Sequence, residues 1–393
     1  MICSALCAMS AAAENEYLAL AKRAHGGDAE AQYTLAMGCH TGVGVPWQNI
    51  ERAVMWYSKA AEQGYAPAQL TLALMYRWGD GVERDEAHAR QLLHAAAVQG
   101  NADAQELLSQ YFLTGMAGEK DTAAAFAWAS KAAEQGNVEC LYRLGCMYYY
   151  GVGVEKDPEA AVAYIRRAVE KGNPAALIAL GEAHARGIGG AAHDTAMAEQ
   201  CWRKAAKLGL CSAAAHLRKL QNAVPYNPEL QSKAEQGDAA SQFQLALCYN
   251  WGLGVEQNDA KAFAWYLAAA KQGHAPAQFE IVAFYFYGVG TPKNETEAVQ
   301  WCRAAASQGV PLAWLCLANM YGNGLGVERD EAEAFKWMLK AANVGITEAQ
   351  YSAACCYQVG CGTSRDTHKA FQLLQKAANQ GHPKARAMLQ GAL

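Results

Sequence analysis

The feature that most constrains this chain is a phrase that keeps returning. Lys59–Gly64 reads KAAEQG, comes back unchanged at Lys131–Gly136, and comes back as SKAEQG at Ser232–Gly237. Weaker forms close at Gly100, Gly172, Gly209, Gly273, Gly309, Gly345 and Gly381. From Gly64 onward, successive closing glycines stand 36 residues apart, except for one interval of 37 (Gly172 to Gly209) and one of 28 (Gly209 to Gly237). A fixed period of this length marks a solenoid. Each unit is one supersecondary element that cannot bury its apolar face alone and must stack on its neighbours.

The unit Tyr65–Gly100 shows what is stacked. Ala68, Leu72, Met75 and Tyr76 fall at i, i+4, i+7 and i+8, an apolar stripe at helical spacing. Gly79-Asp80-Gly81 breaks it, and Asp85 opens a second helix that carries Ala89, Leu92, Leu93 and Ala96. Each unit is therefore a helix A, a Gly-rich turn and a helix B. The expected fold is all-α, a right-handed superhelical α/α solenoid.

Turn and cap chemistry repeats with the stripe. Glycine pairs such as Gly151/Gly153 and Gly324/Gly326 suit a tight interhelical turn, because glycine takes positive φ without penalty. A few residues later comes an Asx: Asn49, Asp85, Asp121, Asp157, Asp194, Asn258, Asn294, Asp330 or Asp366. These read as N-caps of helix B, and Asp330 with Glu333 reads as a capping box. Asp28, Asn101, Asn137, Asn173 and Asp238 directly follow a closing glycine and read as N-caps of helix A, in the junction that also holds Pro67, Pro174, Pro276, Pro311 and Pro383.

These marks divide the chain. Residues 1–27 are an apolar leader and an N-terminal cap helix, 28–209 hold five units, and 238–381 hold four more. Between the arrays, 210–237 has no Gly turn and is interrupted by Pro225 and Pro228. Residues 382–393 are a last helix A that caps the open end.

At these residues the sequence resembles the Sel1-like repeat family, relatives of the tetratricopeptide repeat. Ala313–Val327 (AWLCLANMYGNGLGV) leads through Asp330 to Trp337 and Ala341, and Cys140–Val154 (CLYRLGCMYYYGVGV) leads through Asp157 to Tyr164. The match covers most of the chain. The resemblance implies a superhelical α-solenoid acting as an adaptor or scaffold for protein complexes, often in bacterial signalling or host contact. Some relatives are exported, carry a disulfide in each repeat and have penicillin-related activity. That chemistry is not carried over, because Ala60, Ala68, Ala132 and Ala304 stand where a repeating cysteine pair is expected.

Composition narrows the partners. Of 393 residues, 18% are charged and the formal net charge is −4, with no basic run to neutralise phosphates, which argues against nucleic acid. No apolar run reaches the length of a membrane span. The opening MICSALCAMSAAA resembles the tail of a secretory signal but lacks a positively charged start. The 13 cysteines are odd in number and fall at different phases of the repeat, as buried thiols in a reducing compartment do. Cytoplasmic residence is the favoured expectation; the alternative is an exported or periplasmic protein.

Motifs that carry chemistry are scarce. No C-x-x-C, H-E-x-x-H, G-x-x-x-x-G-K-[ST], G-x-S-x-G or Ser-x-x-Lys occurs, and no catalytic residue, metal site or cofactor is expected. The one cluster that suggests a metal or redox site is Cys355-Cys356 with Cys361 and His368; adjacent thiols on a helix point about 100° apart, and buried thiols are the simpler reading. Trp56, Trp128, Trp202, Trp265, Trp301 and Trp337 recur at one phase of helix B and read as core, as do Tyr76, Tyr148, Tyr249, Tyr285, Tyr321 and Tyr357 before the Gly turn.

Two positions just after that tyrosine phase are not fixed by the repeat. They hold Arg77-Trp78, Tyr149-Tyr150, Asn250-Trp251 and Phe286-Tyr287, but Ala185-Arg186 and Gln358-Val359 elsewhere. If helix A lines a concave face, such aromatics are ready anchors for a partner segment; the competing reading is packing over neighbouring Gly loops. The function expected is a non-catalytic interaction scaffold that binds a protein segment along helix A. The alternatives are a hydrolase of cell-wall or β-lactam type and an exported factor that contacts a host or rival cell.

Overall fold

The computed structural model describes residues 11–389. Residues 1–10, with Cys3, Cys7 and most of the expected leader, and 390–393 lie outside the described residues; Ala11-Ala12-Ala13 open the first helix. Twenty-two α-helices and no strand are present among the described residues.

The chain forms two compact units, Met1–Cys140 and Leu141–Leu393. In the first, α1 (Ala11–His25) precedes the pairs α2 (Ala29–Thr41) and α3 (Ile50–Glu62), α4 (Ala66–Trp78) and α5 (Glu86–Val98), and α6 (Ala102–Thr114) and α7 (Thr122–Glu134). The boundary falls within α8 (Val138–Tyr150), which is followed by α9 (Pro158–Glu170), α10 (Pro174–Arg186) and α11 (Thr195–Lys207). Then come α12 (Cys211–Gln221) and the short α13 (Pro228–Glu235). Four pairs follow: α14 (Ala239–Trp251) and α15 (Asp259–Lys271), α16 (Ala275–Tyr287) and α17 (Glu295–Ser307), α18 (Pro311–Asn323) and α19 (Glu331–Asn343), α20 (Thr347–Val359) and α21 (Thr367–Asn379). The last helix is α22 (Pro383–Leu389). The second unit thus contains the irregular connection. It remains packed there: Ala213, Leu217 and Leu220 of α12 share one apolar cluster with Trp202 of α11 and Leu247 and Trp251 of α14.

The caps fix the helix starts. All nine Asx residues before helix B accept from a backbone N–H of the first turn, as Asp121 does from Ala124 at 2.9 Å. Asp330 accepts from Glu333 N at 2.9 Å, but the reciprocal half of the expected capping box has lost its donor, since the Asp330 N–H donates to the Tyr321 carbonyl at 3.0 Å. The same tie recurs in every turn, for example from Asp85 to Tyr76 at 3.0 Å and from Asn258 to Tyr249 at 2.9 Å. It fastens the start of helix B to the end of helix A.

Stacking depends on small residues. Ala53, Ala60, Ala68, Ala132 and Ala305 are fully buried and let helix axes approach closely. The second glycine of a turn does the same between pairs. A Cβ on Gly326 would run into the carbonyl of Glu295, at the start of the preceding helix B, and one on Gly362 would run into that of Glu331.

The glutamine of the returning phrase is a structural partner as well as part of a helix end. Gln105 in α6 is buried, donates its amide to the Ala97 carbonyl of the preceding helix B at 3.0 Å, and accepts from Gln135 at 2.8 Å. The same relay joins Gln32 with Gln63, Gln69 with Gln99, Gln242 with Gln272, Gln278 with Gln308 and Gln350 with Gln380. Where the first member is not glutamine, neither is the second: Leu141 stands with Lys171, Leu177 with Leu208 and Trp314 with Val344. The Trp314 indole makes the bond to the Ala306 carbonyl that glutamine makes elsewhere, at 2.8 Å.

The tryptophan phase needs correction. Trp56, Trp128, Trp265, Trp301 and Trp337 stand eight residues before their closing glycine, but Trp202 stands seven before, where Tyr57 and Tyr266 stand in their own units. That phase is the buried one: Trp202, Tyr57 and Tyr266 are at most 1% exposed. Trp202 fits because Gly181 leaves room for its indole, which donates to the Ile178 carbonyl at 3.2 Å. Trp56 is buried, while Trp128, Trp265, Trp301 and Trp337 are only half-buried, and Lys131 lies 4.1 Å over the Trp128 ring. Of the tyrosines before the turn, Tyr357 is buried and the other five are half-buried.

Candidate partner-binding face

The residues singled out as anchors sit at the C-terminal end of helix A, held there by the glycine turn that follows. In the first unit Gly79 has φ 71° and donates its N–H to the Met75 carbonyl, which ends α4 just after Arg77 and Trp78. Arg77 is buried, its guanidinium 4.7 Å from the Trp78 ring and 5.4 Å from the Tyr111 ring of the next helix A. Trp78 is half-buried. On the same face Met37, three residues before His40, is 43% exposed.

In the second unit four of the anchors come together. Tyr150 stacks on Tyr287 with ring centroids 3.6 Å apart and planes 9° from parallel. Tyr149 packs edge-on against Tyr150 at 4.7 Å, and Phe286 against Tyr287 at 4.9 Å. Residues 137 apart in sequence meet here, so the C-terminal ends of α8 and α16 touch within this unit. Trp251, expected to be an anchor as well, is 3% exposed; it packs on Trp202 at 5.6 Å, and its carbonyl is in hydrogen-bond contact with His193 Nε2 at 3.0 Å. Asn250 beside it is half-buried.

A polar network spans the same inner face. Arg186, at the end of α10, donates to the Tyr149 hydroxyl and to the Asp259 carboxylate at the start of α15. Oriented so that both ends of its amide are satisfied, Gln257 accepts from the Arg186 Nε at 2.9 Å. These residues with Lys156 and Ile188 line a cleft of about 240 Å³. Further along, Lys219 of α12 pairs with Glu280 of α16 at 2.8 Å, and His216 meets Glu182 at 2.7 Å.

The electrostatics follow from this enclosure. Burial pushes the Tyr149 phenol up to about 12 and the Cys146 thiol up to about 11. Burial also works to raise Glu182, but the His216 hydrogen bond and the charges of His216, Lys219 and Arg186 outweigh it and hold the carboxyl below its ordinary 4.5. Arg186 and the Glu182–His216 pair were not in the sequence-based set. Arg186 stands where Trp78, Tyr150, Trp251 and Tyr287 stand in other units, and that change to a charge is a signal that could have found it.

His368 does not join the three cysteines of the cluster. His368 faces Gln372, with Nε2 to Nε2 at 2.8 Å, and no group of three His, Cys, Asp or Glu placed to hold a metal occurs among the described residues. Among the described residues Cys39, Cys140, Cys201, Cys248 and Cys302 are buried free thiols, and Cys146, Cys316, Cys355, Cys356 and Cys361 are half-buried free thiols. No helix among the described residues is long and apolar enough to cross a membrane.

Stacked helix–turn–helix pairs with periodic caps define an α-solenoid repeat protein. The Sel1 repeat matches it at 29–65, 66–101, 102–137, 138–173, 174–210, 239–274, 275–310, 313–345 and 347–382, and the chain belongs to the Sel1-repeat family. Among solved structures it is similar to a protective antigen of uropathogenic Escherichia coli with an SLR fold: 32% identical, covering 95% of this chain and 82% of that one, with a TM-score of 0.49. It is also similar to a Sel1 repeat protein of Oxalobacter formigenes: 25% identical, covering 99% of this chain and 92% of that one, with a TM-score of 0.38. No curated protein matches. Sel1 repeats build protein-interaction scaffolds and are generally non-catalytic, and this chain is a scaffold of that general kind.

Proposed function

We propose that the chain is an adaptor that holds an extended or helical segment of a partner protein along its helix A faces. The observation that supports this reading most is variation set on a fixed frame. Caps, turn glycines and buried alanines recur in register, while the residues at the end of helix A change from Trp78 to Tyr150 to Arg186 to Val359. A frame that keeps its geometry and varies its side chains at one place suits recognition, and Trp, Tyr and Arg are the residues that dominate binding hot spots. In the second unit a partner would engage the rims of the Tyr150–Tyr287 stack, where Tyr287 is 37% exposed.

The test is site-specific photocrosslinking in cells of the source organism. A photoreactive residue at Trp78 or at Tyr287 is expected to capture a discrete partner band. One at Phe371, an exposed position on helix B, is expected to capture none. Equal capture from Phe371, or none from both helix A positions, rejects the assignment.

A further inference from the structure

Most of the Gly turns close in the same way. The amide five residues beyond a late position of helix A donates back to that position's carbonyl: Met116 to Tyr111 at 3.1 Å, Leu253 to Cys248 at 3.0 Å, Val289 to Phe284 at 3.0 Å and Leu325 to Met320 at 2.9 Å. This six-to-one bond is the Schellman end of a helix, and it sets the side chains of the two residues against each other. In those four turns the two are an apolar pair within one packed cluster.

The last turn has the same backbone and different chemistry. Cys361 donates its N–H to the Cys356 carbonyl at 3.1 Å, and Gly360, at φ 81°, donates to the same oxygen at 2.8 Å. The pair that meets here is two thiols. They hydrogen-bond to each other, and that bond, ahead of burial, pushes the Cys356 thiol up. Both residues are half-buried and so within reach of a small reagent. Cys355 beside them is engaged elsewhere, with Tyr351. Cys302 and Cys316 also hydrogen-bond, but Cys302 is fully buried and closed to such a reagent.

We propose that Cys356 and Cys361 are a redox-responsive dithiol that closes to a disulfide across the end of α20, with a small disulfide such as oxidised glutathione as its co-reactant. The Cys361 thiolate attacks one sulfur of glutathione disulfide, expels one glutathione thiolate and forms a mixed disulfide. Cys356 holds its proton longer and acts second: the proton passes to water, the Cys356 sulfur attacks that of Cys361, and the second glutathione thiolate leaves. The protein dithiol is oxidised by two electrons and glutathione disulfide is reduced by two. The product locks the turn of the last full helix pair.

The full-length chain equilibrated in glutathione redox buffers, alkylated and mapped by peptide mass spectrometry, tests this. Trypsin leaves Cys355, Cys356 and Cys361 in one peptide, so Cys355→Ser is mapped beside the unaltered chain. The Cys355→Ser chain is expected to yield a peptide two hydrogens lighter. Its oxidised-to-reduced ratio should be at least about tenfold higher folded than in urea, because the helix end holds the sulfurs together. Cys356→Ser is expected to stop at the glutathione adduct of Cys361. Equal ratios folded and in urea, or a link from Cys355 in the unaltered chain, overturn the proposal. Circular dichroism of both variants establishes that each is folded.

Discussion

Gln135 donates its side-chain amide to Gln105 across 2.8 Å, from the end of α7 to the start of α6. Gln105 is 4% exposed, so its oxygen, once deprived of that donor, has no water to turn to. Gln135→Leu should therefore cost about 1–3 kcal/mol, the range for orphaning a buried polar group. The matched change Gln105→Leu with Gln135→Leu should cost less than the sum of the two singles, since the chain already carries Leu177 with Leu208. Urea denaturation of the four proteins in the cycle reads this out, and strict additivity would count against the relay.

Two glycines separate conformational cost from steric cost. Gly345 has φ +94° with nothing within 4 Å of the place a Cβ would occupy, so Gly345→Ala should cost only the left-handed conformation, about 1–2 kcal/mol. Gly326, at φ +68°, sits against the Glu295 carbonyl, so Gly326→Ala bears the same cost and must also move backbone. Thermal unfolding should show the larger loss at Gly326.

Arg186 joins Tyr149, Gln257 and Asp259, and thereby the pairs on either side of the irregular connection. Arg186→Met leaves the Asp259 carboxylate without its cation and should cost about 3 kcal/mol. Arg186→Lys should recover little of this, because an ammonium cannot reproduce three differently directed donations. Hydrogen exchange in α12 and α14 should accelerate in both variants; unchanged protection there would show that the junction holds without the arginine.

Glu182 sets an acid limit. Its folded carboxyl titrates below 4.5, so between the folded and ordinary values the unfolded chain binds the extra proton. The stabilisation it provides is present above that window and is lost as pH falls through it. Glu182→Gln should therefore flatten the decline in stability below pH 4.5. Denaturant midpoints across that range test the sign, and an unchanged acid limb would mean that other carboxylates govern it.

The parts of this fold that were legible in the sequence are those made by local chemistry. Asp121 caps the helix it precedes, and Gly79 ends the helix it follows, because each acts within one turn of its own position. The glutamine relay was hidden because glutamine is an ordinary helix former; only its joint absence, at Leu141 and Lys171, Leu177 and Leu208, and Trp314 and Val344, betrays it. Trp202 stands one residue off the phase of the other tryptophans, and one residue is about a hundred degrees of turn on a helix. The stack of Tyr150 on Tyr287 lay furthest from reach. It depends on the summed tilt of every pair between them, and no local pattern encodes that sum.

The tie from each Asx N–H to a helix A carbonyl spans nine residues in seven turns, as from Asp157 to Tyr148, but ten in two, from Asn49 to Cys39 and from Asp194 to His184. In those two turns the additional residue is absorbed before helix B begins, and the helix that follows starts in its usual register. The turn thus works as a slip joint: it takes up length without passing a shift along the chain. Between residues 42 and 49, and between 187 and 194, chain length can thus differ by one residue while both flanking helices keep their phase.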